Sequence, residues 1–140
     1  KNVVGDMQRL LAIHDWVANN ISYDVAKYKT GSYHPEDGAL RTLQLRQGVC
    51  QDYTFLTVAL LRAAGIQARM ALGRAYSHGA WGTHAWTEAY VAGRWVVLDT
   101  TWDAGYVTDT GQFVKQFSSR YFDPAAKDFA RDHILDYYGY

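Results

Sequence analysis

The spacing of apolar residues changes once along the chain, and this change restricts the possible folds more than any other feature. Before residue 66, apolar side chains recur every three to four residues, as in helices that bury one face. From Ile66 to Asp99 they alternate in short runs, as in strands, and glycine-rich stretches separate the runs. Helices followed by antiparallel strands indicate an α+β fold.

Three helices are predicted in the first half of the chain. The first runs from about Asp6 to Asn20, with Asp6 as its N-cap, and a short one covers about Asp37 to Gln47. The third runs from Cys50 to Ala64 and ends at Gly65, the residue type expected just past a helix end. Its apolar residues cover most of the cylinder, so we expect it to be largely buried.

Strands are predicted at Ile66 to Leu72, Thr83 to Val91 and Arg94 to Asp99. The glycine-rich segment from Gly73 to Gly82 is predicted to be a loop, and Ala92-Gly93 a tight turn. The tail is less regular. It contains a helical stretch near residues 124–131 and an aromatic end at residues 137–140, and we expect it to pack on the core or to border the cleft.

Length and charge limit the domain count and the partners. A chain of 140 residues is expected to form one domain, residues 1–140, which buries roughly two-thirds of its unfolded surface. Fourteen basic and fourteen acidic residues give zero net charge, so we expect no nucleic-acid partner. Apolar runs are too short for membrane insertion.

The first residue is Lys1, so we expect this chain to be excised from a longer protein, with any signal segment outside it. The compartment is therefore not determined, and an extracellular or cell-envelope location is the one we favour. The oligomeric state is unknown.

Cys50 is the single cysteine, which excludes an intrachain disulfide and a cysteine-rich zinc site. It lies at the start of the predicted buried helix, where unpaired N–H groups and the helix dipole favour thiolate over thiol. The thiolate is the nucleophilic form, so Cys50 is the candidate nucleophile. The alternative is a small buried apolar side chain, a common situation for a free cysteine.

The hairpin register supplies partners for this thiol. A two-residue turn at Ala92-Gly93 places Asp99 opposite Trp86 and His84 opposite Thr101. His84 and Asp99 then share one face as diagonal neighbours, with Cα atoms roughly 7–8 Å apart. One imidazole nitrogen would face the carboxylate, and the other could face a thiol.

Other arrangements compete with this one. A three-residue loop with Gly93 in the left-handed conformation would put His84 and Asp99 on opposite faces. Asp103 competes with Asp99 as the residue that orients the imidazole, and Glu88 is a third candidate. The remaining histidines have no comparable setting; they are His14, His34, His78 and His133.

The chemistry explains why these three residue types are needed together. A cysteine nucleophile needs a base, and the base needs a carboxylate that fixes its tautomer. The oxyanion that forms on the way to a thioester needs donors. The backbone N–H of Cys50 is the first candidate, and Gln44 and Tyr23 are candidates for the second. The tryptophans Trp81, Trp86 and Trp102 are candidates for the wall of a substrate groove.

Four blocks of sequence together resemble the core of the transglutaminase-like superfamily. They are GVCQDY at 48–53, LLRAAGIQAR at 60–69, HAWTE at 84–88 and GRWVVLDTTWD at 93–103. The resemblance covers about residues 37–103. The helix before it, which ends in Ile21-Ser22-Tyr23-Asp24, resembles the element that precedes this core in bacterial members. Family members often have proline after the aspartate, where this chain has Thr100.

The resemblance implies a papain-like cysteine fold with Cys50 as nucleophile, His84 as base and Asp99 as orienting residue. It also implies the register that puts His84 and Asp99 on one face. Eukaryotic transglutaminases need calcium, but the Asp109-Thr110-Gly111 segment is too sparse for a calcium loop, and we expect no metal or cofactor.

The superfamily includes transglutaminases, peptidases, amidases and domains without catalysis. We therefore expect a cysteine enzyme that cleaves or transfers an acyl group from peptide-type amides, with a protein or peptide substrate. The alternative is an inactive peptide- or glycan-binding module of the same fold.

Overall fold

A computed structural model describes residues 3–34 and 37–139 of the chain. The helices are α1 Val3–Asn20, α2 Val25–Thr30, α3 Ala39–Leu45, α4 Cys50–Ala63, α5 Thr100–Ala104 and α6 Ala126–Phe129. The strands are β1 Ser22–Tyr23, β2 Gln47–Gly48, β3 Ala68–Ser77, β4 Ala80–Val91, β5 Arg94–Leu98, β6 Gly105–Val107, β7 Phe113–Lys115 and β8 His133–Gly139. The predicted α+β class is confirmed.

A four-stranded antiparallel sheet in the order β5-β4-β3-β8 forms the second half of the fold. Strands β3 and β4 pair without interruption from Ala68 and Ala89 to Ser77 and Ala80. The predicted loop from Gly73 to Gly82 is therefore wrong. Only a two-residue turn, His78-Gly79, separates the strands, and both of its residues have positive φ. Gly73 and Gly82 lie in the paired strands on either side of it.

The second hairpin joins β4 to β5 through Ala92 and Gly93, which have φ angles of 57° and 78°. Two consecutive residues at positive φ are typical of a type I′ turn, whose twist matches that of the flanking strands. Val91 pairs with Arg94 and Thr87 pairs with Leu98. The register expected for a two-residue turn is therefore confirmed, and Asp99 follows directly on the last paired residue.

Helix α1 begins at Val3, before the predicted start at Asp6. Asp6 is not an N-cap, because it lies inside the helix and its carboxylate bonds to Arg9, one turn further along. Helix α4 begins at Cys50 as predicted, and Gly65, at φ 81°, follows its end. A glycine in this left-handed conformation is a common way to end a helix.

The main core lies between helices α1 and α4 and the sheet. Its buried side chains come from all of these elements, at Leu10, Val58, Leu61, Ile66, Ala68, Ala89, Val91, Val96 and Leu98. Burial of each large aliphatic side chain contributes roughly 1.5–3 kcal/mol to stability, so this core fixes the position of α4 on the sheet. No helix in the described ranges is long and apolar enough to cross a bilayer.

The tail completes the sheet through β8, which pairs with β3. A bulge between Leu72 and Gly73 interrupts this pairing. The helical stretch expected near residues 124–131 is shorter, at Ala126–Phe129, and Tyr140 lies outside the described residues. The tail thus supplies a strand that the sequence patterns did not predict.

Candidate active site

Cys50 is the first residue of α4 and is partly exposed. The helix start is fixed by Asp52, whose Oδ2 accepts hydrogen bonds from the Val49 N–H at 2.9 Å and from Lys27 Nζ at 2.8 Å. The first N–H groups of a helix have no acceptor within the helix. The Cys50 N–H therefore points along the helix axis toward a site where negative charge is favoured.

The short parallel pair of β1 and β2 brings Tyr23 to this site. Tyr23 pairs with Gly48, two residues before the cysteine. A Cβ at position 48 would lie 2.5 Å from Asp52 Cβ, so the close approach of the chain to the helix start requires glycine there. Burial, and next to it the charge of Cys50, raises the pKa of Tyr23 well above its usual value, so its hydroxyl stays protonated at neutral pH.

His84 lies in β4, is nearly buried, and has its Nε2 atom 2.7 Å from Asp99 Oδ2. Burial opposes a charged imidazole. The negative charge of Asp99, its hydrogen bond and the interactions with Cys50 outweigh this effect, and together they raise the pKa of His84 to about 10. The imidazole therefore favours its protonated form at neutral pH.

The Cys50 side chain lies next to His84 on the same cleft, close enough to contribute to the raised pKa of the imidazole. Since Nε2 of His84 faces Asp99, Nδ1 is the ring nitrogen left for the thiol. The imidazole thus lies between a sulfur on one side and a carboxylate on the other, the arrangement that activates a cysteine nucleophile.

Asp99 is fully buried and caps α5, because its Oδ1 atom accepts a hydrogen bond of 3.1 Å from the Trp102 N–H. Its Oδ2 atom is left for the imidazole. Burial opposes the charged carboxylate, but the charge of His84 and the hydrogen bonds of His133 and His84 hold the pKa of Asp99 well below its usual value. The helix cap thus fixes which oxygen faces the histidine.

A second histidine reaches the same carboxylate oxygen. His133, at the start of β8, has its Nε2 atom 2.8 Å from Asp99 Oδ2 and its Nδ1 atom 2.7 Å from Asp132 Oδ1. The hydroxyl of Tyr121 donates to Asp132 Oδ2 at 2.7 Å. Sequence reasoning gave His133 no role, because it follows the matched blocks and no motif surrounds it.

The competing carboxylates have other partners. Asp103 Oδ2 lies 2.7 Å from Nε2 of His14, another buried histidine without an expected partner. Glu88 accepts a bond of 2.8 Å from Arg69. The structure therefore places Asp99, and neither of these two acids, beside His84.

An open cleft with a volume of about 710 Å³ runs past Cys50 and His84. Seven aromatic side chains are among the residues that line it, and they are Tyr23, Tyr28, Tyr76, Trp102, Tyr106, Phe113 and Tyr121. Trp102 lies on this wall as expected, with its ring centre 5.3 Å from that of His84.

Three candidates from the sequence lie elsewhere. Trp86 is buried on the face of β4 opposite the main core, where its ring packs against His84, His133 and Phe129. Trp81 is exposed near the hairpin tip, where it packs on Tyr76 and does not itself line the cleft. Gln44 is exposed on α3 and is also absent from the cleft lining.

Among the described residues, His84, Asp99 and His133 offer possible metal-ligand atoms that all lie within 4.8 Å of one another. Nε2 of His84 and Nε2 of His133, however, both lie at hydrogen-bond distance from Oδ2 of Asp99. A metal would have to replace the protons of these bonds. We therefore interpret the group as a hydrogen-bonded cluster.

The family model of the transglutaminase-like superfamily matches residues 2–100. The chain belongs to this superfamily. The resemblance of the four sequence blocks is therefore confirmed, and the match includes Cys50, His84 and Asp99.

Two curated relatives are the kyphoscoliosis peptidases of Homo sapiens and Mus musculus, with 32% and 33% identity over 94% of this chain. The chain spans 21% of the length of each. A solved structure of a candidate cysteine protease from Cytophaga hutchinsonii is 31% identical to this chain, with a TM-score of 0.57. The match covers 93% of this chain and 42% of that one. A transglutaminase structure has a TM-score of 0.54 at 19% identity, with 81% of this chain and 30% of that one covered, and it supports the fold alone. The predicted papain-like, transglutaminase-like fold is confirmed.

Proposed function

We propose that this chain is a cysteine enzyme that cleaves or transfers the acyl group of peptide-type amides through a thioester on Cys50. One observation carries the proposal. The His84 imidazole is hydrogen-bonded to the buried Asp99 carboxylate and lies close enough to Cys50 for that side chain to raise its pKa, and both Cys50 and His84 line the cleft. A nucleophile, a base and an orienting group in this order are the parts that acyl transfer by cysteine requires.

In the proposed reaction the Cys50 sulfur attacks the carbonyl carbon of the amide while His84 holds the thiol proton. The carbonyl oxygen gains negative charge, and the free N–H of Cys50 at the start of α4 stabilises it. His84 then donates its proton to the departing nitrogen, which leaves a thioester and a free amine. Water or a second amine then attacks the thioester carbon, and His84 takes the proton of the attacking group. The C–S bond breaks, which releases the acid or the new amide and restores the Cys50 thiolate beside the protonated His84.

Tyr23 is the better of the two candidates for the second oxyanion donor. It lines the cleft with Cys50 and carries a protonated hydroxyl, whereas Gln44 is exposed and lies off the cleft wall. Loss of one such donor lowers kcat by roughly 10²–10³-fold. We therefore expect Tyr23→Phe to reduce turnover and Gln44→Ala to leave it unchanged.

The shape of the cleft favours an extended substrate. It is open to solvent, and seven aromatic side chains line it together with Cys50. Aromatic side chains offer a large contact area with little loss of conformational entropy, which suits the recognition of a polypeptide. We propose a protein or peptide substrate on this basis.

Two assays test the proposal. The first follows incorporation of a fluorescent primary amine into a glutamine-containing protein, and the second follows release of ammonia or of new peptide ends from the same protein. We expect wild type to be active in one of them and Cys50→Ala to be inactive with an unchanged melting temperature. Activity retained in Cys50→Ala would overturn the proposal. Binding of the protein without either reaction would favour an inactive binding module.

A further inference from the structure

We infer that His133 is a positioning residue for the proposed base, because it holds the Asp99 carboxylate in the orientation that His84 needs. The inference rests on the proposed function of Cys50, His84 and Asp99. It adds a side chain from the last strand, beyond the residues that the family model matches.

The position of His133 is defined by contacts at both ring nitrogens. Its Nε2 atom lies 2.8 Å from Asp99 Oδ2, and its Nδ1 atom lies 2.7 Å from Asp132 Oδ1. Its ring stacks on Phe129 with centres 4.0 Å apart, and its side chain is fully buried. A ring held at both nitrogens and on one face has a fixed orientation, so it can fix a neighbour.

Asp99 needs such support because it has no contact with water. A buried ionised carboxylate is costly unless donors satisfy its oxygens. The Trp102 N–H bonds to Oδ1, whereas His84 and His133 share Oδ2. Without His133, Oδ2 would keep one donor, and the carboxylate would be freer to rotate away from His84 or to take up a proton.

The support extends from the core to the cleft. Asp132 accepts a hydrogen bond from the Tyr121 hydroxyl, and both of these residues line the cleft. A row of hydrogen bonds therefore runs from the cleft wall through Asp132, His133 and Asp99 to His84. The side chains in such a row can contribute more together than their separate contacts suggest.

The chain contains a matched control for this arrangement. His14 is also fully buried, with its Nε2 atom 2.7 Å from buried Asp103 and its Nδ1 atom 2.8 Å from its sequence neighbour Asp15. His133 has the same pattern with Asp99 and Asp132. The two histidines therefore carry similar structural roles, but only His133 contacts the partner of His84.

The test is an NMR titration of His84 in protein labelled with ¹⁵N-histidine, with the signal assigned by its absence in His84→Gln. The titratable groups around His84 are Cys50, Asp99 and His133. Tyr23 interacts with Cys50, Asp132 is hydrogen-bonded to His133, and Tyr121 is hydrogen-bonded to Asp132. In His133→Asn and His133→Gln, the only one of these groups that is replaced is His133. The readout is therefore specific for the loss of one bond.

His133→Asn and His133→Gln separate the two sides of the ring. The shorter asparagine amide can replace Nδ1 toward Asp132, and the longer glutamine amide can replace Nε2 toward Asp99. We expect His133→Asn to lower the His84 midpoint by about one pH unit or more, since a misplaced carboxylate supports the imidazolium less. We expect His133→Gln and the control His14→Asn to leave the midpoint near that of wild type.

An unchanged or higher His84 midpoint in His133→Asn would overturn the inference, as would an equal decrease in His14→Asn. If His133→Asn does not fold, Asp132→Asn carries the same test with the same expected direction, because its side chain is partly exposed. The titration needs no substrate. The proposed function is refuted separately, by activity that survives in Cys50→Ala.

Discussion

Nε2 of His84 lies 2.7 Å from Oδ2 of Asp99, although one residue belongs to a strand and the other caps a helix. The type I′ turn at Ala92 and Gly93 sets the pairing of β4 with β5, and this pairing ends one residue before Asp99. The carboxylate is then fixed by the cap of α5. A hairpin register and a helix start together position one hydrogen bond.

Asp99→Asn is expected to reduce kcat by about 10³–10⁴-fold, because an amide at this position can stabilise the wrong tautomer of His84. The substitution keeps the shape of the side chain and an oxygen that can cap α5. Steady-state rates with the amine-transfer or hydrolysis substrate provide the measurement, and thermal melting monitors folding.

Asp103→Asn is the matched control. Asp103 is equally buried and lies within α5, the helix that Asp99 caps, but its partner is His14. We expect this variant to lose stability and to keep kcat within a few-fold of wild type. Equal losses of kcat in both variants would show that the Asp99 effect is structural.

The His84 pKa also predicts how stability depends on pH. The folded pKa of about 10 lies above the ordinary value of 6.5, so the folded state holds the proton more tightly. The resulting stabilisation is complete below pH 6.5 and is lost as the pH rises through about 10. Its upper limit is about 5 kcal/mol.

Urea unfolding of wild type and His84→Gln at several pH values measures this dependence. Wild type is expected to lose stability relative to the variant between pH 7 and pH 10. A difference between the two proteins that stays constant over this range would contradict the prediction. Asp99 acts in the opposite direction, because its lowered pKa makes its contribution disappear only as the pH falls below the ordinary value of 3.8.

Labelling of Cys50 by iodoacetamide is expected to be at least about tenfold faster at pH 6 than labelling of a small free thiol. An ordinary thiol is less than about 1% ionised at this pH, whereas a protonated His84 beside the sulfur stabilises the thiolate. Mass spectrometry of the labelled protein gives the rate. His84→Gln should lower the labelling rate of Cys50 to that of the free thiol. A wild-type rate equal to that of the free thiol would indicate an inert cysteine.

The contact of His84 with Asp99 was predictable because it depends on local rules. A two-residue turn fixes the register, and the register fixes which residues share a face. The position of Cys50 was predictable in the same way, since the apolar pattern and Gly65 together indicate the extent of α4. These features need no knowledge of how distant segments pack.

His133 and Tyr23 were harder to place, because both depend on distant pairing. His133 reaches Asp99 only because β8 joins β3 after more than thirty residues of short helices, short strands and loops. Tyr23 was a candidate, but its place in the cleft depends on a pair of two-residue strands, which leave no periodic pattern. The loop predicted from Gly73 to Gly82 failed because glycine suggested a turn where it permits close packing of strands.

Substitution of Gly73 tests whether glycine is needed for close packing of β3 and β8. Gly73 pairs with His84 on one side and with Leu135 on the other, and an added Cβ would lie 2.0 Å from the Ile134 carbonyl oxygen. Backbone cannot move aside as a flexible side chain can. Gly73→Ala is therefore expected to push β8 away from β3 and to cost about 1–3 kcal/mol, measured by urea unfolding.

Gly82→Ala, in the same hairpin, is the matched control for this prediction. A Cβ at that position would meet no atom within 4 Å, so we expect a change in stability within about 0.5 kcal/mol. Because His133 begins β8, Gly73→Ala should also lower the His84 midpoint in the NMR titration, whereas Gly82→Ala should not. A stable Gly73→Ala variant with an unchanged midpoint would show that the bulge beside Gly73 can absorb a methyl group without moving β8.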